Sequence, residues 1–127
     1  MSRNEITDQS AKPLADFLLQ NNSLQELYLY WNKIGSAAGL SIAEALRKNQ
    51  SLFVLDLSFN CIGCNPNREA GKAIILAITP HYTNASILST EQNLKHLDLS
   101  NNGFCLEECK AMAEVLKYNQ SLYGFHF

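Results

Sequence analysis

Leucines alternate with polar or aromatic residues in three short stretches of the chain. The alternating pairs are Leu27 and Leu29, Leu55 and Leu57, and Leu97 and Leu99. Because successive side chains of a strand point to opposite faces, each pair predicts a short strand with one buried face. Apolar stripes at helical spacing follow the first and last pairs, at Ile42, Ala43, Ala45 and Leu46 and at Met112, Ala113, Val115 and Leu116. The pattern therefore predicts alternating strands and helices.

One phrase recurs through almost the whole chain. Residues 23–50, 51–63, 93–120 and 121–127 align on the frame L-x-x-L-x-L-x-x-N-x-[IF], with an alanine-rich helical stretch and N-Q-S-L after it. The units begin near Leu24, Leu52, Leu94 and Leu122, in steps of 28, 42 and 28 residues. The step of 42 is 28 plus 14, so the period is 28 residues and the second unit carries 14 extra residues. A period of this length is typical of a solenoid, in which each unit buries its apolar face against the next.

The frame resembles the leucine-rich repeat, specifically the long, helix-containing type typified by ribonuclease inhibitor. The resemblance implies an α/β solenoid, with parallel strands on the concave face and helices on the convex face. It also implies a structural role for Asn32, Asn60 and Asn102, which follow the three strands. At this position the family uses the side-chain amide to satisfy buried backbone groups of the turn, which cannot reach water.

Four N-x-S sequences match the pattern of N-glycosylation acceptors. They are NNS at 21–23, NQS at 49–51, NAS at 84–86 and NQS at 119–121. Three of them recur at the turn from helix to strand. That recurrence favours a role in the repeat over a role as acceptors.

The register predicts a single leucine-rich-repeat domain over residues 1–127 that is truncated at both ends. Asn4 lies 28 residues before Asn32, so the sequence NEI matches the tail of an earlier unit. Phe127 falls at the position of Leu29, inside a strand. Solenoids normally shield their terminal units with polar caps, and neither end resembles a cap. We expect a piece of a longer array, or a short protein, whose bare strand edges favour an end-to-end homo-oligomer.

The second unit is longer than the others, because it contains an insertion within residues 63–93. About four of the extra residues precede its helix, within 63–71, and about ten follow it, within 79–93. Insertions confined to one unit often carry binding function in repeat proteins, although a tolerant loop also accepts neutral change. The candidate residues of the insertion are His81, Tyr82 and Ile87.

The residues between the strand leucines are expected to stack in columns on the concave face, about 4.8 Å apart from unit to unit. The candidate partner-binding residues in these columns are Tyr28, Tyr30, Trp31, Phe59, Asp56, Asp98, Glu26 and His96. Large aromatic side chains are frequent hot spots of interfaces, and the carboxylates would attract a Lys or Arg of a partner. Two alternatives stay open: the aromatics shield the leucines beneath them or pack on a missing unit, and the aspartates are ordinary repeat residues.

Composition and charge narrow the classes of function. The 127 residues are 46% hydrophobic and 17% charged, which fits a globular protein rather than a disordered one. A formal net charge of −2 provides no electrostatic reason to expect a nucleic acid or an anionic membrane as partner. No apolar run approaches the ~20 residues of a membrane span, and the first residues lack the apolar core of a signal peptide. The chain is therefore predicted to be cytoplasmic.

Four cysteines form two close pairs, Cys61 with Cys64 and Cys105 with Cys109. The repeat register places both pairs at one rim, where they could assemble a tetrathiolate zinc site. Cys61 adjoins a turn asparagine and Cys109 lies at a helix start, which suits inert thiols. We expect four reduced cysteines and no metal or other cofactor, with zinc or a redox pair as the alternatives.

These features favour a non-catalytic scaffold that binds a protein partner on its concave surface. The histidines are dispersed and no phosphate-binding glycine loop occurs, so no catalytic site is predicted. Fold alone does not determine function, and two alternatives remain. One is a regulatory fragment of a small-GTPase-activating protein, for which Arg68 is the arginine in a plausible rim loop. The other is a sensor domain of a larger multidomain protein that covers a neighbouring domain.

Overall fold

Helices and strands alternate along the chain in the computed structural model, which describes residues 1–64, 69–79 and 93–127. A 3-10 helix (Asp8–Ser10) leads into the first of the α-helices, which are α1 (Ala11–Gln20), α2 (Ser36–Leu46), α3 (Ala70–Ala77) and α4 (Leu106–Leu116). The strands are β1 (Glu26–Tyr28), β2 (Val54–Asp56), β3 (His96–Asp98) and β4 (Gly124–His126). The alternation that the leucine pattern predicts is confirmed.

The strands form one parallel sheet in which the chain order is also the spatial order, β1-β2-β3-β4. The pairing aligns equivalent repeat positions: Leu27 lies opposite Leu55, Leu55 opposite Leu97, and Leu97 opposite Phe125. Among the described residues, the helices share one core with the strand leucines on one side of this sheet, so the α/β solenoid implied by the repeat frame is confirmed. A bridge between Thr7 and Lys33 extends the parallel pairing to the N-terminal segment.

The core lies between the sheet and the helices. The six predicted strand leucines are at most 6% exposed, as are the predicted helix residues Ile42, Ala43, Ala45 and Leu46. Met112 is also buried, but Ala113 is exposed and Val115 is half-buried. The prediction of a buried stripe in α4 is therefore wrong at Ala113, because among the described helices α4 packs against α3 alone, whereas α2 packs between α1 and α3.

A glycine allows α2 to sit close to the loop that follows β2. A Cβ atom on Gly39 would lie 2.8 Å from Ile62 Cγ2 and 3.1 Å from Ala70 Cβ. Real Cβ atoms essentially never come within 3.0 Å of a neighbouring heavy atom, so the contact with Ile62 means that only glycine fits here without a shift of the neighbouring repeat.

The asparagines after the strands form a continuous network that joins each repeat to the one before it. Asn102 Nδ2 donates to the carbonyl of Leu99 at 2.9 Å and to that of Leu57 at 2.8 Å, and Asn102 Oδ1 accepts from the amide of Ile62 at 3.2 Å. Asn60 makes the matching bonds one repeat earlier, to Leu29 and from Ile34. The predicted structural role of these asparagines is confirmed.

A second asparagine network lies at the other rim, where each helix leads into the next strand. Asn49 Nδ2 donates to the carbonyl of Leu18 at 2.7 Å, and its Oδ1 accepts from the amides of Ser51 and Leu52 at 3.1 and 2.9 Å. Asn21 and Asn119 accept equivalent bonds within their own N-x-S-L sequences. The side-chain amides of these three N-x-S sequences are thus engaged in the repeat, as their recurrence predicted.

We expect Asn102→Ala to lower the free energy of unfolding by about 3 kcal/mol, because it leaves three buried backbone groups without a partner. The asparagine is 1% exposed, so water cannot replace the amide. Equilibrium unfolding in urea measures the change. Asn22→Ala, at an exposed residue, is the control and should change stability by less than about 0.5 kcal/mol. Similar stabilities for the two variants would contradict the role assigned to Asn102.

Candidate protein-binding face

The candidate residues lie on the face of the sheet that points away from the helices, here called the concave face. The strand register confirms that the residues beside the strand leucines stack in columns. One column is Glu26, Val54, His96 and Gly124, and the other is Tyr28, Asp56, Asp98 and His126. Tyr28, Trp31 and Phe59 are 42%, 55% and 42% exposed. Tyr30, Asp56, Asp98 and His96 are half-buried. The structure therefore brings the predicted residues of the strands and their turns onto one surface.

The aromatic side chains that follow β1 and β2 stack on each other. The ring centroids of Trp31 and Phe59 are 4.8 Å apart, and the ring planes are inclined by only 12°. Their backbone amides donate to the carbonyls of Ser58 and Ser100, so both residues also take part in the pairing between repeats. Offset stacking of this kind contributes roughly 0.5–1.5 kcal/mol beyond the buried area. The pair forms a flat, half-exposed aromatic platform.

Trp31 and Phe59 occupy a backbone conformation that bulky residues rarely adopt. Their φ angles are +55° and +53°, and the equivalent residues Arg3 and Asn101 have φ of +55° and +56°. For a residue other than glycine, the left-handed region costs roughly 1–2 kcal/mol, and asparagine is among the residues that adopt it most readily. The repeat thus has a position that suits Gly or Asn, and two successive units carry large aromatic rings there. Such strain is typical of functional sites.

Tyr28 forms a polar contact with Glu26, which lies two residues before it on the same strand and belongs to the other column. Its hydroxyl donates to Glu26 Oε2 at 2.8 Å. This hydrogen bond raises the pKa of Tyr28 above its ordinary value, and desolvation and the negative charges of Glu26 and Asp56 act in the same direction. Tyr28 therefore stays a neutral donor, and Glu26 fixes where its hydroxyl points.

Asp56 and Asp98, which lie in the column of Tyr28, are held in place by the serines that follow them. Asp56 Oδ1 accepts from the amide and the hydroxyl of Ser58, at 2.9 and 2.6 Å. Asp98 makes the same two bonds to Ser100, again at 2.9 and 2.6 Å. Within residues 1–64, 69–79 and 93–127, the other carboxylate oxygen, Oδ2, has no hydrogen-bond partner. Each aspartate is thus both a structural element of its turn and a fixed acceptor on the concave face.

His96 and His126 come together because Gly124 leaves space between them. A Cβ atom on Gly124 would lie 2.3 Å from His96 Nδ1, so the imidazole covers this glycine. The two imidazole centroids are 5.0 Å apart, with planes inclined by 37°. His96 pairs with Gly124, so His126 is its diagonal neighbour on the next strand. The sequence could have predicted the contact from this diagonal position.

Two of the cysteines form a disulfide, so the expectation of four reduced thiols is wrong for this pair. The amide of Cys64 donates to the carbonyl of Cys61 at 3.1 Å, and this tight turn brings their Cα atoms to 5.1 Å, within the range that a disulfide spans. Cys105 and Cys109 are free and half-buried. In the part of the chain that the structure describes, no three His, Cys, Asp or Glu side chains are grouped so that they could hold a metal ion.

Some of the sequence-based candidates lie outside the described residues. They are His81, Tyr82 and Ile87 of the insertion and Arg68 of the loop before α3. The candidate face is therefore made of strand residues and of the turns that follow the strands.

Comparisons with known proteins agree with this architecture. Profiles of the family described as Leucine Rich repeat match residues 20–43, 48–63 and 93–112. Human NACHT, LRR and PYD domains-containing protein 13 is 32% identical over 120 residues, which are 94% of this chain and 10% of that protein. The chain is a leucine-rich repeat protein.

The solved structures include a similar fold. Leiomodin-1 Actin-Binding Site 2 (ABS2) matches with a TM-score of 0.76 and 21% sequence identity, over 95% of this chain and 63% of that one. At this identity the likeness concerns the fold alone. This leucine-rich repeat chain spans about a tenth of its human relative and less than two thirds of the leiomodin chain.

No helix in the described ranges is both long enough and apolar enough to cross a bilayer.

We expect Glu26→Ala to lower the pKa of Tyr28 toward its ordinary value, because the variant removes the hydrogen bond that is the largest cause of the increase. Glu26→Gln keeps an acceptor without the charge and should have a smaller effect. The titration of the tyrosine ring carbons, followed by NMR, measures the change, and Glu114→Gln on α4 is the control. A pKa of Tyr28 that is the same in all three variants would refute the assignment.

We expect Trp31→Gly to be more stable than Trp31→Ala by about 1 kcal/mol, because both remove the ring but only glycine relieves the left-handed backbone. Urea unfolding of the two variants tests the difference. At Ser41, in the middle of α2, the usual order should hold, with Ser41→Ala more stable than Ser41→Gly by about 1 kcal/mol. Finding alanine the better residue at both positions would exclude strain at Trp31.

Proposed function

We propose that the concave face binds a protein partner and that the stacked pair of Trp31 and Phe59 is its anchor. The stack carries the proposal because two successive repeats hold large rings, at a backbone cost, on a surface where they fill no core. Trp31 and Phe59 are 55% and 42% exposed, so a partner that covers them would remove roughly half of the 150–250 Å² that a fully buried aromatic side chain withdraws from water. Aromatic residues of this kind contribute disproportionately to binding free energy.

The polar groups beside the stack define the chemistry of the partner. Asp56 and Asp98 each present a carboxylate whose orientation is fixed by a serine. Glu26 adds a third carboxylate next to the donor hydroxyl of Tyr28. A segment with an apolar or aromatic side chain for the stack and a Lys or Arg for the aspartates complements this surface. The acidic row gives selectivity more than affinity.

The wider assignment rests on the repeat architecture. We infer a non-catalytic interaction module of the ribonuclease-inhibitor type, acting in the cytoplasm. Tyr30 and His96, half-buried on the same face, extend the contact surface along the columns. A rigid parallel sheet suits this role, because its side chains need little ordering when a partner binds.

Capture of proteins from a cell lysate, with identification by mass spectrometry, tests the proposal. We expect the wild-type chain to retain a protein that Trp31→Gly/Phe59→Gly does not retain. Glycine is chosen at both positions because it suits their positive φ, so the variant keeps its fold while losing the platform. Tyr118→Ala removes an aromatic side chain that is 65% exposed on the helical side, and it should capture the same protein as the wild type.

The same assay separates the aromatic contribution from the charged one. With the captured partner purified, Asp56→Asn/Asp98→Asn should weaken binding and reduce its dependence on salt, since it keeps the acceptor for each serine but removes both charges. Equal capture by the wild type and the glycine variant would refute the aromatic anchor. An unchanged salt dependence in the asparagine variant would refute the role of the acidic row.

A further inference from the structure

A second apolar surface lies on the opposite, helical side of the molecule. A groove of about 520 Å³ opens between α1, α2 and α3. Its exposed apolar side chains are Leu19 and Leu40, at 39% and 37%, and the more buried Ala43 and Ala73 complete its apolar lining. The volume lies within the range of about 300–1,000 Å³ that is typical of binding sites. We call this surface the helical groove.

Comparison of the four helices shows that Leu40 departs from the repeat. It lies two residues before Ile42, a core residue of α2. The residues two positions before the equivalent core residues of α1, α3 and α4 are all lysines, namely Lys12, Lys72 and Lys110. All three lysines are exposed. The helical surface of this chain therefore normally carries a cation at this position, and α2 carries a leucine.

Leu19 departs from the repeat in the same way. It lies five residues after the core residue Leu14, and the equivalent residues of α2 and α4 are Arg47 and Lys117. After α3 the position holds Thr79. Packing of the core does not require either change, since both leucines are exposed. Leu19 and Leu40 thus each replace a polar residue of the equivalent helices, and both line the same groove. Leucines that are exposed by chance would be scattered singly over the surface.

The charged end of the groove also differs from its equivalent in α4. In α4, Glu114 forms an ion pair with Lys117, with Nζ and Oε1 2.7 Å apart. The corresponding Glu44 and Arg47 line the groove, as does Lys48. Over the described portion of the chain, neither Arg47 nor Lys48 forms an ion pair. Two cations are therefore available beside the apolar lining.

We propose that the helical groove binds an amphipathic peptide helix that carries acidic residues. Its apolar side chains, spaced by three or four residues, would pack against Leu19 and Leu40, and its carboxylates would lie against Arg47 and Lys48. Leu40, Glu44 and Arg47 or Lys48 follow one another at helical spacing, so the apolar and the charged contacts lie along one face of α2 and of the turn that follows it. The two cations select an acidic segment, and Glu44 orients it by repelling a carboxylate at the intermediate position.

A display library of helical peptides, about 14 residues or roughly four turns long, tests the proposal with the whole chain as bait. We expect the enriched peptides to share apolar residues at i, i+3 or i+4, and i+7, together with Asp or Glu. Leu40→Lys should weaken their binding about tenfold or more, because it removes an apolar contact. Since this variant carries the residue found in the other three helices, it is expected to fold normally, and urea unfolding verifies this.

Two further variants locate the contact. Arg47→Glu/Lys48→Glu should also weaken the peptides about tenfold or more, with the loss greatest at low salt. Trp31→Gly/Phe59→Gly, on the concave face, should leave peptide binding unchanged, so the helical groove and the concave anchor are tested independently. Failure of enrichment, enrichment of basic peptides, or equal binding to Leu40→Lys would overturn the proposal. So would a wild-type dimer, detected by sedimentation, that Leu40→Lys dissociates, because a second copy would then occupy the groove.

Discussion

The structure depends on the need to satisfy the buried backbone groups of the turn after each strand. The turn asparagine meets this need, because its amide reaches backbone groups of its own repeat and of the preceding one. Asn102, for instance, contacts the carbonyls of Leu99 and Leu57 and the amide of Ile62. A single side chain thus joins two repeats and fixes their spacing. The parallel register of the sheet and the close approach of the helices follow from that spacing.

The same turn determines where the aromatic platform lies. The residue before each turn asparagine adopts positive φ, and the side chains of Trp31, Phe59 and Asn101 at this position are exposed. Asn101 adopts positive φ with little strain, whereas Trp31 and Phe59 adopt it at a cost. The repeat scaffold tolerates that cost because the asparagine bonds and the leucine core are formed whichever side chain precedes them. The residue type before the asparagine can therefore vary between repeats without disturbing the core or the asparagine hydrogen bonds.

The concave face and the helical surface on the opposite side of the molecule differ in the mobility of their charged side chains. On the concave face, serines hold the aspartates in one orientation, so the negative charges are fixed before any partner arrives. On the helical side, Arg47 and Lys48 have long, exposed side chains that can adapt to a partner. Preorganised carboxylates favour selectivity, and flexible cations favour a general attraction to acidic segments. The separation of the two surfaces by the leucine core allows both to be occupied at once.

The sequence by itself determined the repeat, the strand leucines, the turn asparagines and the columns of the concave face. These follow from backbone periodicity, since equal spacing along the chain places equivalent residues side by side in a parallel sheet. Only the tertiary structure decided which side chains meet: Trp31 stacks on Phe59, His96 covers Gly124, Cys61 joins Cys64, and Leu19 shares a groove with Leu40. Such contacts depend on rotamers and on the space left by neighbouring repeats, which periodicity does not specify. The burial of α4 likewise depends on how many helices flank it, which is a property of the packed array and not of its amphipathic pattern.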